Sequence, residues 1–160
     1  MPLYTFEDGT TDGWQARANV ASVAAVTSFL DGPGHPYDGN YALDASPTGG
    51  VGVSTERTIS VTPASPLDVP TAQSFYLAVD AYGAAPGATG YTVTVEIGGG
   101  NQAVIATTSI QPNTWTKLVI SVANWVERDQ ISSISVSFAG VGSTVVWAPH
   151  FQIDDVGYTT

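Results

Sequence analysis

The segment SFYLAVDAY, residues 74–82, decides the fold class, because its apolar side chains recur at every second position. On an extended chain Phe75, Leu77 and Val79 share one face. The opposite face, which points away from the core, carries Tyr76, Asp80 and Tyr82. Seventeen Gly and ten Pro residues interrupt the chain at short intervals, as turns between strands require. The same alternation recurs in YTVTVEI (91–97), WTKLVISV (115–122) and ISSISVSF (131–138). These patterns predict antiparallel strands with one buried face.

Six further segments fit the same interpretation: LYTFE (3–7), VASVAAVT (20–27), YALDA (41–45), VGVSTERTISV (51–61), QAVIATTSI (102–110) and HFQIDDVGY (150–158). The turn GGGN, residues 98–101, supplies residues that tolerate the positive φ of a hairpin. Nine or ten short strands separated by turns indicate two sheets packed face to face. We therefore predict an all-β, two-sheet antiparallel β-sandwich of the jelly-roll type. A length of 160 residues suits a single module spanning residues 1–160.

The charge balance limits the classes of partner. Four Lys and Arg residues stand against fourteen Asp and Glu residues, and the net charge is −10. Because this charge repels nucleic-acid phosphates and anionic lipid surfaces, we predict neither nucleic acid nor membrane as a partner. No apolar run approaches the roughly 20 residues that cross a bilayer. The chain has no Cys, which excludes thiolate nucleophiles and sulfur metal sites.

The sequence offers few signs of catalysis. His35 lies in a segment rich in Gly and Pro, and His150 follows Pro149. Neither histidine has the spacing that pairs it with a Ser nucleophile or a set of metal ligands. Two carboxylates can hydrolyse a glycosidic bond, but the fold positions such a pair and the spacing here does not identify one. We interpret both histidines as solvated loop residues.

Carboxylates are concentrated near both ends of the chain, in segments without Lys or Arg. They are Glu7, Asp8 and Asp12 in YTFEDGTTDGW (4–14), and Asp154 and Asp155 in FQIDDVGY (151–158). On an extended first strand Phe6 points into the core, while Thr5 and Glu7 point the other way. Adjacent carboxylates in a core-forming strand are costly to bury unless a cation binds them. Ca²⁺, which takes six to eight oxygen ligands, is an economical neutraliser bridging the first and last strands. Ordinary turn or capping roles stay open for Asp8, Asp12 and Asp155.

Four motifs carry a resemblance that covers essentially the whole chain. FEDGTTDGW (6–14), GNYALDA (39–45), WTKLVISVANW (115–125) and FQIDDVGY resemble the Ca²⁺-containing jelly-roll carbohydrate-binding modules, the group that includes families 4, 11, 22 and 27. The resemblance implies a structural Ca²⁺ as cofactor. It assigns the ion to the backbone carbonyls of Thr5 and Tyr41 and the side chains of Glu7 and Asp154.

The resemblance also implies sugar binding on a sheet face or at a rim of loops. Physically, sugar recognition needs aromatic rings together with charged donors and acceptors, and several residues could supply them. We predict eight ligand-binding residues: Arg17, Tyr37, Tyr76, Asp80, Tyr82, Glu96, Lys117 and Trp125. Arg17 stands where some members of the group place an aromatic ring. Trp14, Trp115 and Trp147 are assigned mainly to packing, whereas Tyr37 and Trp125, in predicted loops, are expected to be exposed rings that stack on sugar. The Tyr76 and Tyr82 rings could merely cover an outer surface.

The resulting hypothesis is a non-catalytic carbohydrate-binding module of a secreted polysaccharide-degrading enzyme. Its partners are a polysaccharide and an attached catalytic domain. By binding the polysaccharide, the module raises the local concentration of substrate for the catalytic domain. A net charge of −10 disfavours polyuronates, so a neutral plant or microbial glycan is expected. One alternative is a jelly-roll polysaccharide lyase or hydrolase that uses acids such as Asp80 and Glu96. Another is a structural or adhesion domain that contacts protein.

Overall fold

Short alternating segments form the strands of the computed structural model, which describes residues 1–29, 34–83, 86–147 and 149–160. Eleven strands occur in these ranges. They are β1 (Pro2–Tyr4), β2 (Gln15–Ala16), β3 (Val20–Val26), β4 (Ala42–Pro47), β5 (Arg57–Val61), β6 (Ser74–Ala81), β7 (Gly90–Gly98), β8 (Ala103–Ile110), β9 (Thr116–Ser121), β10 (Ser133–Val141) and β11 (Phe151–Thr159). Ten of them lie within or beside a predicted segment, whereas β2, at two residues, is too short for alternation to show.

The strands pair into two antiparallel sheets. Sheet A has the order β3-β4-β11-β6-β9, and β1 pairs in addition with β11. Sheet B has the order β2-β5-β10-β7-β8. Most neighbours in each sheet are distant along the sequence, so the chain crosses repeatedly between the sheets. This arrangement confirms the predicted two-sheet β-sandwich of the jelly-roll type.

The core lies between the two sheets and contains the apolar side of each alternating segment. Phe75, Leu77 and Val79 of β6 are at most 2% exposed. Phe138 of sheet B and Phe151 of sheet A stack across the interface, with ring centroids 4.1 Å apart. Each such buried side chain contributes about 1.5–3 kcal/mol relative to an exposed one. Burial of these faces therefore leaves the opposite side of each sheet directed away from the core.

The first strand is shorter than the sequence predicts. It ends at Tyr4, and Phe6 adopts a positive φ of 61°. The N–H of Phe6 donates to Oδ2 of Asp12 at 3.1 Å, and the N–H of Gly9 donates to the Phe6 carbonyl at 2.9 Å. The prediction that the strand extends through LYTFE is therefore wrong beyond Tyr4. Phe6 is still buried, but Glu7 lies in a turn, because the Asp12 carboxylate holds the chain in a bend.

A bulge in β11 determines where its two adjacent carboxylates point. The register with β6 shifts between Asp154 and Gly157, and Asp155 has a φ of 46°. In a regular strand Asp155 would point to the opposite face from Asp154, into the core. With the bulge, Asp155 reaches Lys117 on the outer side of sheet A. Both carboxylates therefore belong to the outer face.

A bilayer-spanning helix is not found in the ranges 1–29, 34–83, 86–147 and 149–160.

Candidate functional site

The outer face of sheet A carries the largest exposed collection of aromatic and charged side chains among the predicted residues. On β6 the side chains of Tyr76 and Asp80 point away from the core, since Phe75, Leu77 and Val79 point into it. In register with β6, Tyr76 lies opposite Val119 of β9, and Ala78 lies opposite Lys117. Two strands thus bring ring and ammonium groups together.

Three rings form what we call the aromatic cluster: Phe29, Tyr37 and Trp115. The ring of Trp115 meets Tyr37 edge to face at a centroid distance of 6.0 Å, and meets Phe29 in the same way at 6.1 Å. The indole N–H of Trp115 donates to the carbonyl of His35 at 3.0 Å, which fixes the ring against the 34–41 segment. Tyr37 is 40% exposed. The cluster therefore presents an oriented ring edge and an accessible phenol to solvent.

Lys117 links the aromatic cluster to β11. Its Nζ lies 4.0 Å from the centroid of the Tyr76 ring and 5.9 Å from that of Tyr37. The same ammonium donates to Oδ2 of Asp155 at 2.9 Å. The hydrogen bond to Asp155 raises the Lys117 pKa above its ordinary value, so the group is charged at neutral pH. An ammonium has three donors, and one of them is directed at Asp155.

A cavity, which we call the edge groove, opens beside Lys117. It has a volume of about 330 Å³ and separates β8, the last strand of sheet B, from β9, the last strand of sheet A. It is lined by Val95, Ala106, Thr107, Thr108, Thr116, Lys117, Leu118, Val119 and Ile120. The groove is at the lower end of the size range of small-ligand sites, about 300–1,000 Å³. It combines an apolar floor with hydroxyl and ammonium groups.

Arg17 and Glu96 lie on the outer face of sheet B, on the opposite side of the sandwich. Arg17 donates to Oγ of Ser60 and to Oε1 of Gln15, each at 2.9 Å. Glu96 is exposed on β7, three strands from β2 and thus ~14 Å away at the usual strand spacing. The outer positions between them are small hydroxyl residues, Thr58, Ser60, Ser135, Ser137 and Thr94. The prediction that Glu96 acts on one sheet face with Tyr76, Asp80 and Lys117 is therefore wrong, because β7 belongs to the other sheet.

Three more predicted residues differ from expectation in place or exposure. Trp125 was predicted to be an exposed loop residue but is only 8% exposed, because it packs at the core edge near Gly99. Asp80 has the predicted outward direction but is 0% exposed, since the 112–115 segment covers it. Tyr82 lies just beyond β6, where its ring contacts Trp147 at 6.0 Å at one end of the sandwich.

The short segment 38–41 holds both carboxylates that the sequence assigns to a cation. Oε1 and Oε2 of Glu7 accept the N–H of Asn40 at 3.0 and 2.9 Å, and Oε1 also accepts the N–H of Tyr41 at 2.9 Å. Oδ2 of Asp154 accepts the N–H of Asp38 at 3.0 Å. The two carboxylates therefore contact the same short segment of backbone, through N–H groups two residues apart. Thr5, just after β1, is partly buried.

Neither carboxylate has a cationic partner among the described residues. Within the described ranges the salt bridges are Lys117–Asp155 and His150–Asp44, and neither involves Glu7 or Asp154. Burial raises the Asp154 pKa to about 6, and the N–H groups of Tyr41 and Asn40 hold the Glu7 pKa below its ordinary value. Described residues form no group of three or more His, Asp or Glu suited to a metal. Backbone and water oxygens would therefore have to complete the shell.

Sequence reasoning missed the role of Trp115, although the signal was present. In WTKLVISV the inward residues are Leu118, Ile120 and Val122, so strict alternation directs Trp115 and Lys117 outward. Phe29 could not have been found in this way, because it lies outside any alternating segment. Its contact with Trp115 joins a residue just after β3 to the residue just before β9.

Comparison with known proteins places the fold. No protein-family model matches the chain, and no curated protein matches its sequence. Three solved structures share the fold. A family 28 carbohydrate-binding module specific for non-crystalline cellulose has 17% sequence identity and a TM-score of 0.67, and the match covers 98% of this chain and 92% of that one. A structure of carbohydrate-binding modules from the β-sandwich superfamily has 13% identity and a TM-score of 0.69, with 99% of this chain and 62% of that one covered, and an exo-β-agarase has 13% identity and a TM-score of 0.70, with 99% and 25% covered. The chain thus spans less than two thirds of the second and a quarter of the agarase.

Proposed function

We propose that this chain is a non-catalytic carbohydrate-binding module that holds an attached polysaccharide-degrading enzyme on its glycan. The observation that carries the proposal is the aromatic cluster with Lys117 on the outer face of sheet A. Sugar rings have apolar C–H faces that pack on aromatic side chains, and their hydroxyl groups need oriented donors and acceptors. Tyr37, Trp115 and Lys117 supply both within one patch.

The edge groove gives the glycan a path beyond the cluster. Lys117 belongs to both features, so a chain that packs on Tyr37 can continue along β9 past Val119. Thr107 and Thr108 of β8 line this path. Because the groove is open and lies along two strand edges, it suits an internal stretch of a linear polysaccharide better than a chain end.

Charge supports a neutral glycan. The net charge of −10 repels polyuronates at long range, and the single ammonium in the patch is already paired with Asp155. Solved structures of this fold include modules bound to β-1,4-galactotriose and to a β-1,3-1,4-mixed-linked tetrasaccharide. A neutral plant or microbial polysaccharide outside the cell is the partner class we propose, and the chain would act as part of a secreted enzyme.

The geometry disfavours the enzyme alternative built on Asp80 and Glu96. A glycosidase needs two carboxyl groups about 5–9.5 Å apart on either side of one bond. Asp80 is buried on the outer side of sheet A, whereas Glu96 is exposed on the outer side of sheet B. The whole core separates them, so they cannot act on one linkage.

A structural Ca²⁺ is the second part of the proposal. Glu7 and Asp154 would hold it through their carboxylates, and Thr5 and Tyr41 through backbone oxygens. A bound divalent ion neutralises buried negative charge and ties the N-terminal segment to β11. The shared contacts of both carboxylates with the 38–41 segment support this site.

A glycan array tests the proposal directly. The labelled chain is applied with Ca²⁺ and with chelator, beside the Tyr37→Ala/Trp115→Ala double variant. We expect binding to one class of neutral polysaccharide by the parent chain and its loss in the double variant. Binding to no glycan by affinity electrophoresis or array would contradict the proposal and favour a protein-contacting domain. New reducing ends or unsaturated products after incubation would instead show an enzyme.

A further inference from the structure

Two buried side chains on facing strands of sheet A, Asp80 and Gln152, each have oxygen atoms without a hydrogen-bond partner in the described part of the chain. Asp80 of β6 is 0% exposed and Gln152 of β11 is 2% exposed, and the register places them directly opposite each other. Three of their oxygen atoms, Oδ1 and Oδ2 of Asp80 and Oε1 of Gln152, have no hydrogen-bond partner among the described residues. Buried polar atoms are nearly always paired, so this arrangement requires an explanation.

Asp44 on β4, the neighbour of Gln152 on the side away from Asp80, determines the orientation of the Gln152 amide. Its Nε2 donates to Oδ1 of Asp44 at 2.6 Å, and Oδ2 of Asp44 lies 2.8 Å from Nδ1 of His150. A carboxylate accepts only, so the NH₂ end of the amide must face Asp44. Oε1 of Gln152 therefore points away from Asp44, toward the side of the strand where Asp80 lies. Acceptors without a described partner therefore lie on directly opposite residues of β6 and β11.

We infer that in mildly acidic solution the carboxyl group of Asp80 keeps its proton in the folded protein and donates it to Oε1 of Gln152. One hydrogen atom turns two facing acceptors into a donor and an acceptor, and it needs no additional space. Burial supports this assignment, because it raises the Asp80 pKa to about 6. The N–H groups of Thr114 and Ala81 act in the opposite direction, but they make no hydrogen bond of ordinary geometry with the carboxylate.

Within the ranges that the structure describes, no ion pair stabilises an ionised Asp80. The charged or titratable groups near the pair are Asp44 on β4, Asp154 on β11, Lys117 on β9, Tyr91 on β7, His150 before β11 and, beside Tyr91, Arg57 on β5. The salt bridges of the described residues are Lys117–Asp155 and His150–Asp44, and neither includes Asp80. The guanidinium of Arg57 is directed at backbone carbonyls. The proton on Asp80 therefore relieves an unpaired contact that none of these neighbouring cations compensates.

The protonated pair supports the segment that carries Trp115. The N–H of Asn113 donates to the carbonyl of Ala81 at 2.9 Å, and Oδ1 of Asn113 accepts the N–H of Gly83 at 2.8 Å. These bonds place Thr114 over Asp80. A bare carboxylate at this position must gain water or donors, and this requires the segment to shift. Resting on the proposed function, we infer that glycan binding weakens as Asp80 ionises.

The sign of the stability effect follows from proton uptake. An unfolded Asp releases its proton near pH 4, whereas the folded carboxyl keeps it to about pH 6. Across this window the folded state binds more protons than the unfolded state. The stabilising contribution of Asp80 to the free energy of unfolding is thus fully present below pH 4 and is lost as the pH rises through 6.

The test uses Asp80→Asn, whose amide has the shape of a neutral carboxyl and can donate to Gln152. Melting temperatures are measured from pH 4 to 8 with chelator present, so that bound cations do not contribute. We expect the variant to melt about 5 °C above the parent at pH 8. Its melting temperature should also fall less steeply than that of the parent as the pH rises. Asp129→Asn, the same charge change at an exposed position, should follow the parent.

Two outcomes would overturn the assignment. One is an Asp80→Asn variant that melts below the parent at pH 8, or whose melting temperature falls with pH as steeply as that of the parent. The other comes from the parent chain alone, by ¹³C NMR titration of the Asp80 carboxyl with a midpoint at or below 4. This second measurement needs no variant to fold.

Glycan affinity at pH 5 and pH 8 separates this inference from the proposed function. The parent should bind several-fold more weakly at pH 8, and Asp80→Asn should bind equally at both. Equal binding by the parent at both values would overturn the link to the site. If no glycan binds at either pH, the proposed function fails, while the melting curves still decide whether Asp80 holds a proton.

Discussion

Nζ of Lys117 lies 4.0 Å above the ring centroid of Tyr76, within the range of a cation–π interaction. The two residues occupy neighbouring strands, and the register offsets them by two positions, since Ala78 is directly opposite Lys117. The ammonium therefore covers the ring face that the sequence assigned to sugar stacking. Within the patch, Tyr76 orients the lysine, and Tyr37 and Trp115 remain to contact a ligand.

The first prediction concerns the charge of that lysine. Lys117→Met keeps the length of the side chain but removes the donors that can reach sugar hydroxyls. We expect about a tenfold loss of affinity, or ~1.4 kcal/mol, and less than about 1 kcal/mol of stability, because the ion pair with Asp155 is partly exposed. Calorimetric titration with a bound oligosaccharide measures the first change and urea unfolding the second. Lys117→Arg keeps the charge and should retain most of the affinity.

Tyr37 provides a test of ring contact. Its side chain is 40% exposed, so truncation to Ala costs little core packing. We expect Tyr37→Ala to lose roughly tenfold in affinity, because the aromatic surface beside Trp115 is removed. Tyr37→Phe keeps the ring and serves as the control. Equal affinities of the Ala variant and the parent would show that the glycan binds elsewhere.

The edge groove predicts a dependence on chain length. If the polysaccharide continues along β9, longer oligosaccharides bind more tightly than short ones. Ala106→Leu extends a side chain into the groove from β8 and should remove this gain while leaving short oligosaccharides unaffected. Ile105→Leu alters the neighbouring outward position and is the matched control. A length dependence that survives in Ala106→Leu would place the rest of the chain outside the groove.

Alternation predicted most strands and their buried faces, but it could not predict which strands become neighbours. The side chains of Asp80 and Glu96 both point away from the core, and the sequence around each residue does not show which sheet its strand joins. Crossovers place β6 in sheet A and β7 in sheet B, although the two follow each other in the chain. Residues from consecutive outward faces are consequently separated by the core.

Exposure of single aromatic residues was equally hard to predict. Trp125 lies beside Asn124 in a connecting segment and was expected to be exposed, yet it fills space next to the turn that begins at Gly99. A Cβ on Gly99 would lie 2.9 Å from the indole of Trp125 and 2.7 Å from Cβ of Glu127. This packing joins segments that are distant in sequence, and such contacts have no local signature.

The proposed Ca²⁺ site predicts a stabilisation that depends on two carboxylates. Calcium at about 100 times its dissociation constant adds ~2.7 kcal/mol to the free energy of unfolding, which corresponds to roughly 5–10 °C in melting temperature for this length. Glu7→Gln and Asp154→Asn should each abolish the difference between calcium and chelator. Asp8→Asn, one residue away in the exposed turn, should preserve it. No calcium-dependent shift in the parent would refute the site.

The last prediction concerns Arg57, which is 2% exposed and has no carboxylate partner among the described residues. Its guanidinium donates to four backbone carbonyls, those of Gly52, Val53, Thr55 and Trp147, at 3.0–3.2 Å. These bonds tie the 52–55 segment to the end of the chain before β11. Removal of the guanidinium leaves buried acceptors unpaired, at roughly 1–3 kcal/mol each when water cannot reach them. We expect Arg57→Met to lower the free energy of unfolding by about 3–5 kcal/mol in urea titrations. Arg57→Lys should be nearly as damaging, because one ammonium cannot reach four carbonyls. A Met variant as stable as the parent would show that these carbonyls find other donors.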